Sequence, residues 1–475
     1  MAFVPYFILS PNAIMSIVGL LRGPDKTVPT PAEDWRQATV DVVIPAYNEE
    51  ANILQCIASV MRQTLKPKRV IIIDDGSMDR TIAFASQVCT FESMVEESRS
   101  LCETHDIEFV FIQRATSIGK TPTIKRQARE FDADVEFILD GDTILTSDNY
   151  IERAVFELYQ GVGIASACGT VLPMRDRDRL EAARDPIVKS YLQKLPEDAA
   201  ATKPTPFMTK LLRGITNTYR GGLYMFLQKF IYRGQMTFFG SITNPVGCAV
   251  AYRRKYVKDL FDKYEPVMGD DLTNSEDIFI GFAMIDSGYR NIQLDDVYAL
   301  TVEPPITRLP RQIYMWSSSY YQCCYYFDHL LKTPFRLGRN IAKRWRERKH
   351  KKEIEEKRKI KEQYRQRFGD EYSRRYGRPM GWIMFTGALE KIFFPVTLLV
   401  FAIFGWWWAI LFTLLLETGL TMIVMAGIAR GHRFKYLMMG LLSTPIRYSV
   451  LFYDLFTLLR FGFDLWVVRT KRWRK

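Results

Sequence analysis

At 475 residues and 55.3 kDa, the chain exceeds a usual single domain and holds material for about three such units. Its 48% hydrophobic and 25% charged residues exclude disordered, collagen-like and coiled-coil compositions. The net charge of +12 is unevenly placed, because residues 339–378 hold 17 Lys and Arg against 7 Asp and Glu. That density suits the anionic cytoplasmic leaflet of a membrane better than nucleic acid, with a solvated helix face as the plainer alternative. Seven Cys without framework spacing read as reduced, cytosolic thiols. Four scattered His and no C-x-x-C leave no zinc-ligand spacing.

The first 21 residues carry no charge, yet Pro5 and Pro11 interrupt them and no basic residue precedes the apolar part. This is a poor cleaved signal. An interfacial or short membrane-embedded segment is expected, against a buried helix or a disordered leader. Residues 23–38, with Pro24, Pro29 and Pro31, read as a linker. Residues 40–47 then form a β-branched run ending near Pro45, as a buried parallel strand does. Ile53, Leu54, Ile57, Val60 and Met61 follow at helical spacing, and residues 70–73, 108–112 and 135–139 are further short strands. Strands alternating with helices predict an α/β domain with a doubly wound parallel sheet, whose ligand crevice lies beyond the carboxyl ends of the strands.

Two acidic clusters sit at such ends. Asp140 and Asp142, separated by Gly141, place two hard oxygen donors where both reach one cation, Mg²⁺ or Mn²⁺, that would neutralise a diphosphate. A lone D-x-D is weak evidence, since surface turns produce it; its strand-end position adds weight. Asp74 and Asp75 lie where a base or ribose would be read, with Gly76 admitting close backbone approach and Ser77 able to cap a helix. A plain turn with a cap is the alternative. Lys120 could set a cation near phosphate or be merely solvated. Further on, Gly269 to Asp277 offers four carboxylates, and Asp277 opens an amphipathic stretch. There a helix N-terminus stabilises the anionic form that a base needs, unless the residue only caps the helix.

Taken in order, Val43-Ile44-Pro45-Ala46-Tyr47-Asn48-Glu49, Asp74-Asp75-Gly76-Ser77, Asp140-Gly141-Asp142, Ser275-Glu276-Asp277 and Gln312-Ile313-Tyr314-Met315-Trp316 resemble the membrane-embedded, processive family 2 glycosyltransferases, which include cellulose, chitin and hyaluronan synthases. The likeness covers roughly residues 40–330. It implies a cytoplasmic GT-A-type sheet domain followed by C-terminal transmembrane helices. It also implies roles. Tyr47 stacks on uracil, Glu49, Asp74 and Asp75 lie on the nucleoside side, and Lys120 stands near the phosphates. Asp140 and Asp142 hold diphosphate and metal. Asp277, with Glu276 beside it, is the general base, and Asp271 is its competitor because Gly269-Asp270-Asp271 also resembles a family motif. Asp277 stands 35 residues before Gln312, which is similar to the family's arrangement. Gln312 and Trp316 border the acceptor sugar, and Gly247 and Cys248 belong to an acceptor-side loop.

One departure stands out. The resemblance implies an Arg that binds diphosphate where this chain has Met315, which cannot do so. Arg311, four residues away on a helix, is the expected substitute. The departure also keeps an inactive relative of the same fold in view.

Residues 392–429 contain one charged side chain, Glu417, and are long enough for two spans of ~19 residues each, with Gly405 to Trp408 near the turn. Lys391 before them and Arg430, Arg433 and Lys435 after them place both ends, and so the catalytic domain, on the cytoplasmic side. Residues 436–468 form a further apolar stretch carrying Arg447 and Asp454; these ions and Glu417 either line a polymer tunnel or pair with one another. The expected divisions are residues 1–38, a membrane-associated segment and linker; 39–335, the transferase domain; 336–380, a basic interfacial helical segment; and 381–475, membrane helices with a basic tail. The expected activity is inverting transfer from a nucleotide sugar, of UDP type, to a growing glycan in the inner or plasma membrane. Mg²⁺ or Mn²⁺ is the cofactor and the bilayer a partner, with accessory export subunits or a second copy as further partners and no nucleic acid. Transfer of one sugar to polyprenyl phosphate is the alternative chemistry.

Overall fold

The computed structural model describes residues 10–22, 34–88, 93–96, 99–104, 106–160, 163–192, 206–268, 275–348, 380–429 and 431–469. Ten strands form one sheet: β1 (Val40–Ala46), β2 (Arg69–Asp74), β3 (Ser93–Glu96), β4 (Arg99–Thr104), β5 (Ile107–Gln113), β6 (Val135–Leu139), β7 (Thr143–Leu145), β8 (Ile164–Pro173), β9 (Ala249–Arg253) and β10 (Arg290–Thr301). Their spatial order is β3-β4-β5-β2-β1-β6-β9-β8-β10-β7. The four strands legible as apolar runs, β5, β2, β1 and β6, are mutually parallel and adjacent. Val42 and Ile44 of β1 point into one core while Val43 points into the other. A strand buried on both faces has no polar side, which is why its sequence runs continuously apolar.

The sheet is mixed, which corrects the doubly wound parallel expectation. β9 inserts antiparallel between β6 and β8, β4 returns antiparallel along β5, and β7 runs against β10. The reason for the β4–β5 reversal is local: these strands are joined by a turn at Asp106, whose φ of 59° gives the left-handed bend of a tight hairpin.

The helices that position the site are α1 (Pro11–Arg22), α2 (Ile53–Met61), α3 (Lys120–Glu130), α4 (Phe207–Phe226), α5 (Tyr232–Phe239), α6 (Glu276–Asp286), α7 (Leu309–Tyr326), α8 (Leu337–Arg348), α9 (Gly381–Ile403), α10 (Trp407–Ile428), α11 (Arg433–Leu442) and α12 (Thr444–Trp466). A π-turn over Leu227–Ile231 joins α4 to α5, and Gln228 within it bonds both backbone groups of Val171 in β8 at 2.8 Å.

Residues 11–22 are a helix packed along one face, with Ile14, Ile17 and Leu21 exposed on the other. A Cβ on Gly19 would stand 2.8 Å from Gly234 Cα, so α1 and α5 touch backbone to backbone. Residues 1–9 and 23–33 lie outside the described residues.

Two helices, α9 and α10, are long and apolar enough to cross a membrane. The first begins at Gly381 rather than near residue 392, so Lys391 falls inside it instead of flanking it. Its apolar window is 44% buried against the rest of the protein and that of α10 only 17%; α10 therefore presents its apolar surface outward. Gly405, with φ 70°, turns the chain between them beside exposed Trp406, Trp407 and Trp408. Glu417, Arg447 and Asp454 are buried, and Arg447 and Asp454 are bonded across helices. Lys391 Nζ lies 3.2 Å from Asp454 Oδ2, Ser317 of α7 donates to Asp454, and Arg447 Nη1 donates to Thr421 Oγ1 at 2.5 Å. Residues 349–379 and 470–475, which carry much of the basic segment and the tail, lie outside the described residues.

Candidate active site

The parallel strands deliver their acidic residues to one edge of the sheet. β2 ends at Asp74, which is 1% exposed and accepts from Ser77 N at 3.1 Å. Asp75 next to it uses both oxygens on the 114–119 loop. Arg114 Nη1 donates to its Oδ1 at 2.9 Å and Ile118 N at 3.0 Å; Ser117 Oγ donates to its Oδ2 at 2.6 Å and Gly119 N at 2.9 Å. Burial alone would raise its pKa, but these donors hold the carboxyl below its ordinary value. Asp75 is thus the anchor of that loop. Tyr47, just past β1, is 50% exposed and free to stack on a planar ligand.

The anchored loop leads into α3, and Gly119 with φ 92° makes the turn that brings Lys120 inward. Lys120 Nζ lies 2.6 Å from Asp140 Oδ1 and 2.7 Å from Glu276 Oε1, and donates to the Gly247 carbonyl at 3.0 Å. One ammonium therefore ties the end of β6, the first turn of α6 and the 244–248 loop. Burial opposes its charge, but Asp140 and Glu276 outweigh burial and hold its pKa well above the ordinary lysine value. Glu276 is raised by burial, with Lys120 opposing and Asp277 and Asp140 adding to the rise.

Asp277 stands in the first turn of α6. Its Oδ1 accepts from Ser275 Oγ at 2.6 Å and Ile278 N at 2.8 Å. Its other oxygen lies against Gly247, where any Cβ would stand 2.8 Å from Asp277 Cβ and 3.1 Å from Oδ2. The 244–248 loop is also tied to the acidic turn, because Asp140 N donates to the Cys248 carbonyl at 3.0 Å. Burial, and then the charge of Asp140, pushes the Cys248 thiol well above its usual range, so this Cys is no nucleophile at neutral pH. Asp270 and Asp271 lie outside the described residues.

Asp142 Oδ1 is approached by the hydroxyls of Thr143 and Thr301 at 3.2 and 3.3 Å. Burial, then the charges of Glu49 and Asp140, pushes its pKa well above the carboxylate range. Glu49 is likewise pushed up to about 7, by burial first and then, against a hydrogen bond from Asn52, by Asp140 and Asp79. The Gly141 turn seats Asp140 and Asp142 hard against β1 and Glu49, since a Cβ there would lie 3.3 Å from both Ala46 Cβ and Glu49 Cγ. Glu49 and Asp142, both pushed up by burial and in part by neighbouring acidic charge, stand beside Asp140, and hard oxygen donors of this kind fit a divalent cation. Among the described residues, no three Asp, Glu, His or Cys side chains already stand in a ligating cluster.

Beyond Asp142 the crevice wall is built from β10 and α7. Val302 N donates to the Asp142 carbonyl at 3.3 Å, and Glu303 follows, 2% exposed. Gln312 and Trp316 share one face of α7. Arg311, one residue before Gln312 on the same helix, is exposed. A cation that stands beside Gln312 and Trp316 is Arg220 of α4, which is 0% exposed. Its Nη2 donates to Gln312 Oε1 at 2.7 Å, its guanidinium lies 4.3 Å from the Trp316 ring centroid, and its Nε is 3.6 Å from Glu303 Oε2. Arg220 and Glu303 were not readable as a pair, since nothing in sequence relates positions so far apart; an Arg before Gly221-Gly222 in a helical stretch is the one local signal.

The mixed sheet with acidic residues at its parallel strand ends is GT-A-like. Residues 41–261 match the model of Glycosyl transferase family 2. An N-acetylglucosaminyltransferase of Mesorhizobium japonicum is 25% identical over 66% of this chain and 61% of its own length. Another from Rhizobium meliloti is 24% identical over 67% of this chain and 64% of its own. The chain thus spans somewhat less than two thirds of these relatives. The mannosyltransferase PcManGT from Pyrobaculum calidifontis, solved with GDP-Man and Mn²⁺, aligns over 95% of this chain and 99% of its own at 14% identity with a TM-score of 0.45.

Proposed function

We propose that this protein is a membrane-associated, inverting glycosyltransferase that moves N-acetylglucosamine from its UDP donor to a hydroxyl of a growing glycan. The observation that carries the reading is the Lys120 bridge, which joins Asp140 on the donor side to Glu276 beside Asp277 on the acceptor side. The choice of sugar is supported by the relatives named N-acetylglucosaminyltransferase.

In this reading Tyr47 covers the uracil, and the loop anchored by Asp75 walls the nucleoside together with Asp74. Asp140 and Asp142, with Glu49 behind them, would hold Mg²⁺ or Mn²⁺, which when bound supplies positive charge for the departing diphosphate. Lys120 adds a fixed cation on the same side. The acceptor sugar lies on Trp316 with Gln312 at its edge, while Gly247 and Cys248 border it through their backbone. Asp277 takes the proton of the attacking hydroxyl; its oxygen forms the bond to the anomeric carbon as the bond from that carbon to the β-phosphate oxygen breaks, and the electron pair leaves on UDP. Attack opposite the leaving group inverts the centre.

The outward apolar surface of α10 and the exposed Trp406 to Trp408 turn support a hairpin crossing the bilayer, with Arg433 and Lys435 on the cytoplasmic side beside the catalytic domain. The test is UDP release by the purified, detergent-solubilised full chain given UDP-N-acetylglucosamine, other UDP- and GDP-sugars, and Mg²⁺ or Mn²⁺. Release expected with UDP-N-acetylglucosamine should fall about 10²- to 10⁴-fold in Asp277→Asn while UDP still binds. Equal turnover in the variant removes Asp277 as base, and no release with any donor defeats the transferase reading.

A further inference from the structure

We propose that the cleft between α4 and the C-terminal helices binds an anionic membrane lipid, with a head-group oxygen on Arg447 and a chain along the apolar wall. The inference rests on the membrane reading given above. The cleft is walled by α4, α10, α11 and the first turn of α12, with Gly222, Gly440 and Arg447 among its lining residues. Its empty space up to the open side is about 360 Å³, but the centre of a water-sized group can move within only about 20 Å³ of it. So narrow a slot excludes a sugar ring or a nucleotide base and admits one oxygen or a single chain. Two glycines keep it open: a Cβ on Gly222 would meet Met439 and Ser443 at 3.6 Å, and one on Gly440 would stand 3.3 Å from Met422 Cα.

Charge on the wall selects the ligand. Arg447 is 7% exposed, and the hydrogen bonds it makes go to neutral oxygens, Thr421 Oγ1 at 2.5 Å and Tyr448 Oη at 3.4 Å. Its Nε has no partner, and among the described residues no acid stands within ion-pair distance of it. Tyr219, in the same lining, is buried with its hydroxyl also unpartnered. A guanidinium enclosed by apolar helices is unfavourable without negative charge beside it. An anionic oxygen entering the slot supplies that charge, and the apolar lining suits the chain behind it.

Depth fits the same occupant. Thr421 lies about 10 Å along the axis from the end of α10 at Ile428, the end that leads on to Arg433 and Lys435. In the proposed orientation this is the cytoplasmic boundary between head groups and chains, where the leaflet is anionic. A lipid there lies against α4 beside Tyr219, and the next residue, Arg220, holds Gln312 and Trp316.

The experiment is thermal unfolding of the purified full chain in neutral detergent, titrated with dioleoylphosphatidylglycerol, dioleoylphosphatidylcholine or glycerol 1-phosphate. A ligand of the folded state raises the midpoint with its concentration, and the rise yields an apparent Kd. Phosphatidylglycerol is expected to bind about tenfold more tightly than phosphatidylcholine, and glycerol 1-phosphate to give no shift at the same concentrations. Arg447→Gln should weaken phosphatidylglycerol about tenfold and leave phosphatidylcholine within about twofold. Should Arg447→Gln fail to fold, Gly222→Ala carries the test. Its methyl meets nothing closer than 3.6 Å, so the helices need not move, yet it narrows the slot and should weaken phosphatidylglycerol about tenfold. Equal affinity for the two lipids, undiminished phosphatidylglycerol binding in the variants that fold, or an equal shift with glycerol 1-phosphate overturns the inference. Failure of the membrane reading shows separately, in wild-type protein that stays monodisperse without detergent and does not float with vesicles.

Discussion

Gly247→Ala is a one-carbon test of the proposed base. The backbone at Gly247 does not occupy the left-handed region, so alanine can adopt it and the effect is purely steric. The added methyl would stand 2.8 Å from Asp277 Cβ and 3.1 Å from its Cγ and Oδ2, where ordinary contact starts near 3.4 Å. Loop and helix must therefore separate by about 0.6 Å or more. Neither is free to yield, because Asp277 is bonded to Ser275 and Ile278, and the Gly247 carbonyl is held by Lys120. Overpacking of this kind costs about 1–3 kcal/mol of stability, and a displacement approaching 1 Å at a reacting group lowers turnover about 10²-fold. The assay is steady-state UDP release at saturating donor, beside UDP titration by calorimetry. The expected result is a drop of about 10- to 100-fold in kcat with UDP affinity within about twofold. In an Asp277→Asn background the methyl should cost much less, because one interaction cannot be lost twice. Full turnover in Gly247→Ala, or equal losses in both backgrounds, would refute the assignment of Asp277 as the base.

Lys120→Met leaves Asp140 and Glu276 facing one another without their shared cation, and should lower unfolding free energy by about 3 kcal/mol, partly restored by Glu276→Gln; unchanged denaturant midpoints would show that the bridge is incidental. Asp286 is subject to burial that would raise its pKa, but hydrogen bonds from His329 at 2.5 Å and Tyr264 at 2.6 Å, with the nearby charges, hold it below 3.8. A depressed carboxylate stabilises the fold above its unfolded pKa and loses that contribution as pH falls through the folded value. Asp286→Asn should thus be less stable by about 1.5–3 kcal/mol near pH 6 and converge with wild type in acid, and a pH-independent difference would refute the linkage. Lys391→Met strands Asp454, which is 1% exposed, and is expected to cost about 3–5 kcal/mol; the Lys391→Met, Asp454→Asn double variant should regain most of it, and equal melting of single and double variants would exclude a working pair.

What the sequence disclosed follows from which interactions are local. β1, β2 and β6 announce themselves because strands buried on both faces are uninterrupted apolar runs, and their acidic ends follow directly. The antiparallel insertion of β9 was not legible: Ala249–Arg253 is short, and its partners Val135–Leu139 are contributed by a distant stretch. Lys120 was recognisable as a cation near the site, but its bridge to Asp140 and Glu276 depends on the whole sheet. Gln312 and Trp316, four apart, share a face, and a residue one step before Gln312 is rotated away by about 100°. The buried cation came from another helix that no periodicity could nominate.

Trp316 and Ser317 are consecutive residues of α7, and the serine hydroxyl is bonded to the Asp454–Lys391 pair between α9 and α12. The floor on which an acceptor ring is proposed to lie is therefore tied directly to α9, one of the two helices long and apolar enough to cross a membrane. Reconstituted into lipids of shorter or longer acyl chain, the protein is expected to change its apparent affinity for the acceptor more than for the nucleotide, which would make membrane thickness a determinant of what is glycosylated.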